Sequence, residues 1–421
     1  MIKPQTLKGF RDFLPKEARK RQYVINTLKE VFESYGFEPL ETPALEYEEV
    51  LLGKYGEEGD KLMYRFEDLG GRKVALRYDQ TVPLARVVAQ YTGILGMPFK
   101  RYQIQPVWRA ENPQKGRFRE FLQCDIDTVG SSSPLTDAEI ISLAINALEK
   151  LEFKDVKILV NDRSIFSSKE LTGVITPEKI PAVIRTIDKI KKIGREGVLT
   201  ELEKLGFGSE RGTYLIQTIE NAKPIQKLAE IFSLLEKMGV DKSKFQFSPT
   251  LARGLDYYTG TIFEAEIEGY SAGSVAGGGR FDSLIGMFCG QSIPAVGISF
   301  GFDRLIEAMD QLNLFPQNIT SSTTKVLVTI FNPDLLNKSL EITLLLYRNK
   351  VPAEIYLPTG KAGLEENTPL DKQIKYADRK GIPYVVIIGP EEAATDEVTI
   401  KNLATGEQKR VKIEEITSVI Q

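Results

Sequence analysis

The sequence predicts an α+β fold: a mainly antiparallel sheet with flanking helices, interrupted by a helical insertion and followed by a separate α/β domain. Three observations lead to this expectation. Paired extended segments joined by polar turns dominate the first third of the chain, apolar residues at helical spacing dominate the middle, and strand and helix patterns alternate at the end. The predicted units are a sheet domain at 1–165 and 245–315, a helical insertion at 166–244, a linker at 316–324, and an α/β domain at 325–421.

The first predicted elements are a long helix and a proline-containing extended segment. Apolar residues recur at helical spacing from Pro15 to Tyr35, and Gly36 follows as a C-cap. The next residues, "FEPLETPALE", are typical of extended chain. Because proline cannot donate to a strand ladder, a strand that contains Pro39 and Pro43 belongs at a sheet edge or an interface.

Two antiparallel strand pairs and a helix follow. "YRFEDLGGRKVALRYDQT" predicts a hairpin around Gly70 and Gly71, and "RYQIQPVWRAE" with "EFLQCDIDTVG" predicts a second pair. Thr136 and Glu139 have the spacing of a capping box, so we expect a helix from there to about Leu151. "VKILV" predicts the strand after it.

The helical insertion is predicted from amphipathic patterns at 180–190 and 225–235, where apolar residues recur every three or four positions. Strand signals return at Phe245, and "LARGLDYYTGTIFEAEI" is typical of a strand hairpin. "SAGSVAGGGRFDSLIGMF" then predicts a glycine-rich turn, and "AVGISFGFDRLIEAM" predicts a strand and a helix. In the last domain, "KVLVTIF", "AEIY" and "PYVVIIG" alternate with helical patterns, which favours a largely parallel sheet.

The composition excludes several classes of protein. The 421 residues are 42% hydrophobic and 27% charged, and they contain no apolar run long enough to span a bilayer, so we expect a cytosolic protein that does not bind membranes. Two cysteines are too few for a disulfide framework. A net charge of −3 confines any nucleic-acid contact to local clusters. The chain has no histidine, which excludes imidazole as a protein general base, triad member or metal ligand.

The stretch "RAENPQKGRFREFLQCDID" carries candidate site residues. Strand side chains alternate, so Phe121, Gln123, Asp125 and Asp127 project from one face and offer an aromatic plate, an amide and two carboxylates. Three arginines, whose planar forks suit phosphate, lie at the loop before them: Arg109, Arg117 and Arg119. The alternative is a polar hairpin with exposed ion pairs, but unpaired carboxylates on a buried strand would be costly.

The stretch "LARGLDYYTG" carries the second group. In an extended conformation, Arg253, Leu255 and Tyr257 share one face, and Asp256 and Tyr258 share the other. The alternative is an ordinary tyrosine-bearing strand with an Arg–Asp pair. "AGGGR" lacks the spacing of a phosphate-binding loop, so its glycines are interpreted as places where a ligand or a neighbouring strand approaches the backbone closely.

Arginines at three separate places in the chain complete the inventory. Arg304 begins a predicted helix and, taken alone, is an ordinary surface residue. Together with Arg109, Arg253 and the stacking ring of Phe121 on an antiparallel sheet, it favours an ATP site that has no P-loop.

These motifs resemble those of the class II histidyl-tRNA synthetase family over essentially the whole chain. "LARGLDYYTGTIFE" is similar to the family's histidine-specific signature, "VWRAENPQKGRFREF" to motif 2, "GFDRL" to motif 3, and the first helix with "LETP" to the dimer-forming motif 1. The resemblance implies a class II catalytic sheet and a C-terminal anticodon-binding domain. It also implies a homodimer that uses ATP and Mg²⁺ to activate L-histidine as histidyl-adenylate, which it transfers to the 3′ end of tRNA(His).

The resemblance also implies roles for individual residues. Those implied for histidine are Asp79 and Thr81 at the amino group, Gln123 and Arg253 by the carboxylate and α-phosphate, Asp127 and Tyr258 at the imidazole, and Tyr257 shaping the pocket. Those implied for ATP are Arg109 and Arg117 on the triphosphate, Glu111 and Phe121 at the adenine, and Arg304 on the γ-phosphate. Arg109 and Arg253 would be the catalytic cations, Gln114 would approach the tRNA acceptor end, and no metal ligand is assigned.

One departure and three alternatives remain. Phe281 stands where relatives usually carry tyrosine, so we expect somewhat weaker histidine binding. The main alternative is a catalytically silent paralogue that regulates histidine biosynthesis, although such paralogues tend to lose the "RGLDYY" signature. The others are a module that binds uncharged tRNA and another class II synthetase with the same C-terminal domain.

Overall fold

The computed structural model describes residues 2–113, 117–253, 257–316, 319, 322–358 and 368–420. The chain divides into two units, Met1–Asp12 with Arg21–Phe315 and Phe13–Lys20 with Pro316–Gln421. Within the described ranges, no helix is long and apolar enough to cross a membrane.

The strands and helices follow the predicted order. The strands are β1 (Glu38–Pro39), β2 (Leu45–Tyr47), β3 (Arg65–Glu67), β4 (Lys73–Leu76), β5 (Phe99–Trp108), β6 (Glu120–Val129), β7 (Val156–Asp162), β8 (Phe245–Phe247), β9 (Thr261–Ile267), β10 (Ala276–Arg280), β11 (Ala295–Gly301), β12 (Val326–Val328), β13 (Ala353–Ile355), β14 (Tyr384–Ile387), β15 (Glu397–Asn402) and β16 (Gln408–Lys412). The α-helices are α1 (Pro15–Ser34), α2 (Glu48–Leu51), α3 (Gly56–Lys61), α4 (Thr81–Tyr91), α5 (Pro134–Lys150), α6 (Lys169–Thr172), α7 (Ile180–Ile187), α8 (Ile190–Lys204), α9 (Ser209–Glu220), α10 (Gln226–Lys237), α11 (Gly286–Cys289), α12 (Phe302–Gln311), α13 (Leu336–Arg348), α14 (Leu370–Lys380), α15 (Pro390–Ala394) and α16 (Ile416–Ile420).

The main sheet of the first unit has eight strands in the order β1-β5-β6-β11-β10-β9-β7-β8. Every pairing is antiparallel except β1 with β5 and β7 with β8 at the two edges. The predicted antiparallel sheet is therefore confirmed. Pro39 lies on edge strand β1, as the missing N–H requires.

A smaller sheet, β2-β4-β3, contains the hairpin predicted around two glycines. Gly71 has a φ of +75°, a left-handed conformation that favours glycine at this turn. Tyr47, Val74 and Phe66 are directly paired across the three strands, so their side chains share a face.

The start of α5 differs from the prediction. Ser133, not Thr136, is the N-cap, and its side chain accepts a hydrogen bond from the backbone of Leu135. Pro134 occupies the first turn, where its missing N–H costs nothing. The predicted capping box is wrong because Glu139 instead bonds to Lys100, at 2.8 Å.

The residues predicted as an insertion, 166–244, contain two packing groups. Helices α6–α9 build a core of their own around residues such as Val183, Leu202 and Leu215. Helix α10 instead contributes Leu228 and Ile231 to the large core between the main sheet and its helices.

The second unit contains a five-stranded sheet in the order β13-β12-β14-β15-β16. The three predicted strands β12, β13 and β14 are parallel, but β15 and β16 add antiparallel pairs. The prediction of a largely parallel sheet missed this hairpin, whose strand β16 has only one buried residue, Val411.

Candidate functional site

A cavity of about 300 Å³ lies in the first unit, over the face of β6, β10 and β11. A second cavity of about 280 Å³ shares Arg109, Phe121 and Arg304 with it, so the two adjoin. The predicted residues that line the first are Asp79, Thr81, Arg109, Phe121, Gln123, Asp127, Arg253, Tyr257, Tyr258 and Arg304. Glu111 and Arg117 line the second, whereas Gln114 and Asp256 lie outside the described residues.

Strand β6 places a carboxylate at the deep end of the first cavity. Asp127 is 3% exposed, and its carboxylate lies 2.7 Å from the guanidinium of Arg101, on the facing strand β5. Burial raises the pKa of Asp127 to about 6, and Arg101 opposes that rise. A Cβ at Gly297, paired with Asp127 across β11, would lie 1.8 Å from its Oδ1, so only glycine leaves room for this carboxylate.

Arg101 is a residue that the sequence analysis missed. Its Nη1 donates to Gln103 Oε1 at 3.2 Å, and Gln103 Nε2 donates to Thr42 at 2.8 Å. A signal was present, since counting back through the hairpin from Asp127 would have placed an arginine opposite it on a buried strand.

A second carboxylate lies where a helix begins. Asp79 precedes α4, and its Oδ1 accepts hydrogen bonds from the Val82 backbone at 3.1 Å and from the Tyr55 hydroxyl at 2.9 Å. Burial raises the pKa of Asp79, and these two donors oppose the rise. Tyr55 was not predicted as part of the site, because α3 and its flanks carry no motif.

Arg253 is held from one side by a carboxylate. Its Nη1 lies 2.8 Å from Glu264 Oε1 on β9. Burial lowers the pKa of Arg253, but the nearby Tyr258 and Glu264 raise it, and the net pKa lies above its ordinary value. The guanidinium therefore stays charged. Glu264 is paired with Gly277 on β10, which places the guanidinium over a strand without side chains.

The strand predicted to begin at Leu251 is wrong at the described residues 251–253 and 257–258. Strand β9 begins only at Thr261, and Arg253 has a φ of +46°. The preceding chain is held by Asn161, whose Nδ2 donates to the carbonyls of Pro249 and Leu251, rather than by a strand ladder. Period-two alternation therefore does not apply, and Tyr257 and Tyr258 line the same cavity with their ring centroids 4.9 Å apart.

The predicted glycine-rich turn is also wrong, because "AGGGR" is the buried strand β10. The interpretation that its glycines permit close approach is confirmed. A Cβ at Gly277 would lie 1.8 Å from Arg253 Nη1, and one at Gly278 would lie 2.0 Å from the carbonyl oxygen of Gly297.

Aromatic rings and cations meet where the two cavities adjoin. The guanidinium carbon of Arg109 lies 4.4 Å from the ring centroid of Tyr78 and 5.1 Å from that of Phe121. Arg304 donates to the carbonyl of Ser274 at 2.8 Å. Arg109 and Arg304 beside the ring of Phe121 suit a polyphosphate joined to a flat base, and the buried carboxylates suit a cationic small molecule.

A family model described as histidyl-tRNA synthetase matches residues 9–305, and one described as an anticodon binding domain matches residues 326–421. A histidine–tRNA ligase of Cytophaga hutchinsonii is 39% identical, with 99% of both chains covered, and one of Aeropyrum pernix is 40% identical, covering 100% of this chain and 98% of that one.

Solved structures give the same picture. The histidyl-tRNA synthetase of Nostoc sp. PCC 7120 matches with a TM-score of 0.84 and 32% identity, covering 100% of this chain and 99% of that chain. A structure from Bacillus halodurans described as an ATP phosphoribosyltransferase regulatory subunit/histidyl-tRNA synthetase matches with a TM-score of 0.71, covering 87% of this chain and 96% of that one. At 22% identity, the second likeness shows a shared fold only.

Proposed function

The chain belongs to the histidyl-tRNA synthetase family and charges tRNA with histidine, and we propose that the 300 Å³ cavity holds histidine while the adjoining one holds ATP. The observation that carries this proposal is the polarity of the first cavity. The buried carboxylates of Asp79 and Asp127 and the cations Arg109 and Arg253 all line this cavity.

In this proposal the three polar parts of histidine meet three parts of the cavity. Its ammonium group binds Asp79, with Thr81 beside it, and its ring binds Asp127 and Tyr258, with Tyr257 against its side. Its carboxylate lies near Gln123 and Arg253. Gln123 is held for this by a hydrogen bond from its Nε2 to Ser299, at 3.1 Å.

ATP binds in this proposal across the shared wall. Phe121 stacks on the adenine and Glu111 accepts from it, while Arg109, Arg117 and Arg304 contact the triphosphate. Arg117 and Glu111 are 3.5 Å apart, so the nucleotide replaces a weak exposed ion pair. Mg²⁺ would enter as Mg-ATP, because Mg²⁺ is usually held by substrate phosphates and few carboxylates, and no residue of the chain is assigned to it.

Activation in such a site needs no protein base. The carboxylate of histidine is already ionised at neutral pH and attacks the α-phosphate, releasing diphosphate. Arg109 and Arg253 stabilise the negative charge that develops on the phosphate oxygens, and Mg²⁺ supplies further positive charge when bound. During transfer, the ribose hydroxyl attacks the carbonyl carbon of histidyl-adenylate, and a phosphate oxygen of the adenylate takes its proton. The bond between that carbon and the phosphate oxygen breaks, and AMP leaves. The protein therefore needs no histidine side chain for this step.

The proposed macromolecular partners are tRNA(His) and a second copy of the chain. The anticodon-binding domain would read the tRNA, Gln114 would approach the acceptor end, and the reaction would take place in the cytoplasm. On the small sheet, Tyr47 and Phe66 flank Val74 on one face and are 53% and 49% exposed. This apolar face supports a homodimer, because large exposed apolar patches mark interaction sites.

Histidine-dependent exchange of diphosphate into ATP tests the proposal. We expect exchange by the unaltered protein, and a loss of about 10²–10³-fold in Arg253→Ala, which removes one cation from the developing charge. Arg185→Ala, an exposed arginine of α7, is the matched control and should exchange normally. Well-folded protein without exchange would refute the enzyme proposal and favour a silent regulatory paralogue.

A further inference from the structure

Asp125 lines the histidine cavity, but the proposed site assigns it no contact with histidine or ATP. It is 2% exposed and lines the cavity one pleat away from Asp127 on β6. Within the described ranges, neither of its carboxylate oxygens has a partner in good hydrogen-bond geometry, although the Ser299 hydroxyl on β11 is near enough to lower its pKa. A buried carboxylate with so few donors is costly when it is ionised, so a nearby positive charge would stabilise it.

The charges at this end of the cavity do not balance. When ionised, Asp125 and Asp127 supply two carboxylates, and Arg101 supplies one guanidinium, which is ion-paired to Asp127. Asp79 is a third carboxylate nearby, but the proposed site assigns it to the ammonium group of histidine. The groups that face Asp125 from the surrounding elements are Arg101 and Gln103 on β5, Asp127 on β6, Ser299 on β11, Asp79 before α4, and Tyr258. The side chain of Gln103 is already committed to Arg101, Thr42 and Gln105, so it does not compensate the second carboxylate.

A protonated ring would supply the missing charge. Neutral imidazole presents one donor and one acceptor nitrogen, whereas imidazolium presents two donors and a positive charge. Ionised carboxylates only accept, so a wall with two of them matches the charged ring better than the neutral one. Since an opposite charge within about 4–6 Å stabilises an ion in a buried site, Asp125 does not need to touch the ring to favour this form.

We propose that Asp125 is a specificity residue which, together with Asp127 and Arg101, makes this pocket bind histidine with its ring protonated. This inference rests on the proposed histidine site and adds the protonation state of the ligand to it. Burial raises the pKa of Asp125 to about 7, Arg101 opposes the rise and Asp127 adds to it. The ring of histidine has a pKa of about 6.5 in water.

The inference predicts proton uptake when histidine binds above neutral pH. At pH 8, both the free ring and Asp125 are mostly unprotonated, while the complex holds one proton. Histidine affinity should therefore fall by up to about tenfold per pH unit above pH 8. Asp125→Asn removes one carboxylate and the charge imbalance, so the variant should bind the neutral ring with less than about a twofold change over the same range.

Calorimetric titration of the full chain with L-histidine at pH 8, in two buffers of different ionisation enthalpy, measures the protons taken up. The expected result is close to one proton per histidine for the unaltered protein and close to none for Asp125→Asn. Uptake below half a proton in the unaltered protein, or equal uptake by both proteins, would overturn the inference.

Nitrogen NMR of bound ¹⁵N-labelled histidine locates the proton and does not depend on the variant folding. Two protonated ring nitrogens support the inference. One unprotonated nitrogen would overturn it, because the proton would then sit on Asp125. Diphosphate exchange that continues in the absence of proton uptake would refute this inference alone, whereas absent exchange and absent histidine binding would refute the proposed function itself.

Discussion

Gly277→Ala should inactivate the enzyme by displacing Arg253 while leaving the fold intact. The new Cβ would lie 1.8 Å from Arg253 Nη1 and 2.6 Å from its guanidinium carbon. Since carbon contacts are normally about 3.5 Å or longer, the guanidinium has to move by roughly 1.7 Å. The backbone of Gly277 is paired regularly with Glu264 and has no positive φ, so alanine itself fits the strand.

The size of the effect follows from this displacement. A misplacement of about 1 Å in a reacting site can cost about 10²-fold, and loss of one charge-stabilising donor costs about 10²–10³-fold. We therefore expect diphosphate exchange to fall about 10²–10³-fold. Because the obstacle is the end of a flexible side chain, the free energy of unfolding should fall by no more than the about 1–3 kcal/mol typical of overpacking.

Two alanine variants serve as controls for Gly277→Ala. Gly93→Ala adds a Cβ with nothing within 4 Å and should leave exchange and stability unchanged. Gly278→Ala places a Cβ 2.0 Å from the carbonyl oxygen of Gly297, which cannot move without the sheet, so it should destabilise the protein strongly.

A double-mutant cycle provides the decisive measurement. Once Arg253 is alanine, the Cβ at position 277 meets no guanidinium, so the double variant should exchange no more slowly than Arg253→Ala alone. If the two losses multiplied instead, the displacement argument would be wrong.

Three further outcomes are expected. Asp137→Asn breaks a buried ion pair in which both carboxylate oxygens accept from Arg280 Nε at 2.9 Å. Denaturant unfolding should show that the free energy of unfolding falls by about 3–5 kcal/mol. A fall of less than about 1 kcal/mol would contradict this. Burial raises the pKa of Asp125 to about 7, so between about pH 4 and pH 7 the folded protein holds a proton that the unfolded chain has released. The free energy of unfolding therefore falls as the pH rises through this range. Asp125→Asn should thus raise the unfolding midpoint more at pH 8 than at pH 5, and equal changes at both would count against the assignment. Phe281→Tyr adds a hydroxyl to a buried ring whose centroid lies 6.3 Å from that of Tyr257. The KM for histidine should fall about fivefold with kcat unchanged, which corresponds to one hydrogen bond of about 1 kcal/mol. An unchanged KM would show that the hydroxyl does not reach the ligand.

Prediction from sequence succeeded where a residue's position follows from regular geometry. The alternation of β6 placed Phe121, Gln123 and Asp127 on one cavity wall, because strand side chains repeat every two residues. The same rule failed at Tyr257 and Tyr258, which precede β9 and belong to no strand. Loop conformation depends on distant anchors such as Asn161, and a local pattern does not contain them.

Residues that support the site were harder to find than residues that line it. Arg101 and Tyr55 each hold a carboxylate of the cavity, but neither stands in a motif. Their partners are 26 and 24 positions away in the chain, and only the pairing of β5 with β6 and the packing before α4 bring them together. The glycines of β10 were wrongly predicted to form a turn for a different reason. Glycine favours turns, but it is also required where neighbouring strands and a guanidinium lie close to the backbone.

Strand β10 restricts how the amino-acid specificity of this enzyme can be redesigned. Gly277, Gly278 and Gly279 offer no side chain to exchange, and a Cβ at any of them would lie 2.5 Å or less from another atom. A library that randomised these positions would select for folding at Gly278 and Gly279, and for the position of Arg253 at Gly277. New substrates therefore have to be accommodated by substitutions on β6 and at Tyr257 and Tyr258, while the glycines of β10 beneath Arg253 stay unchanged.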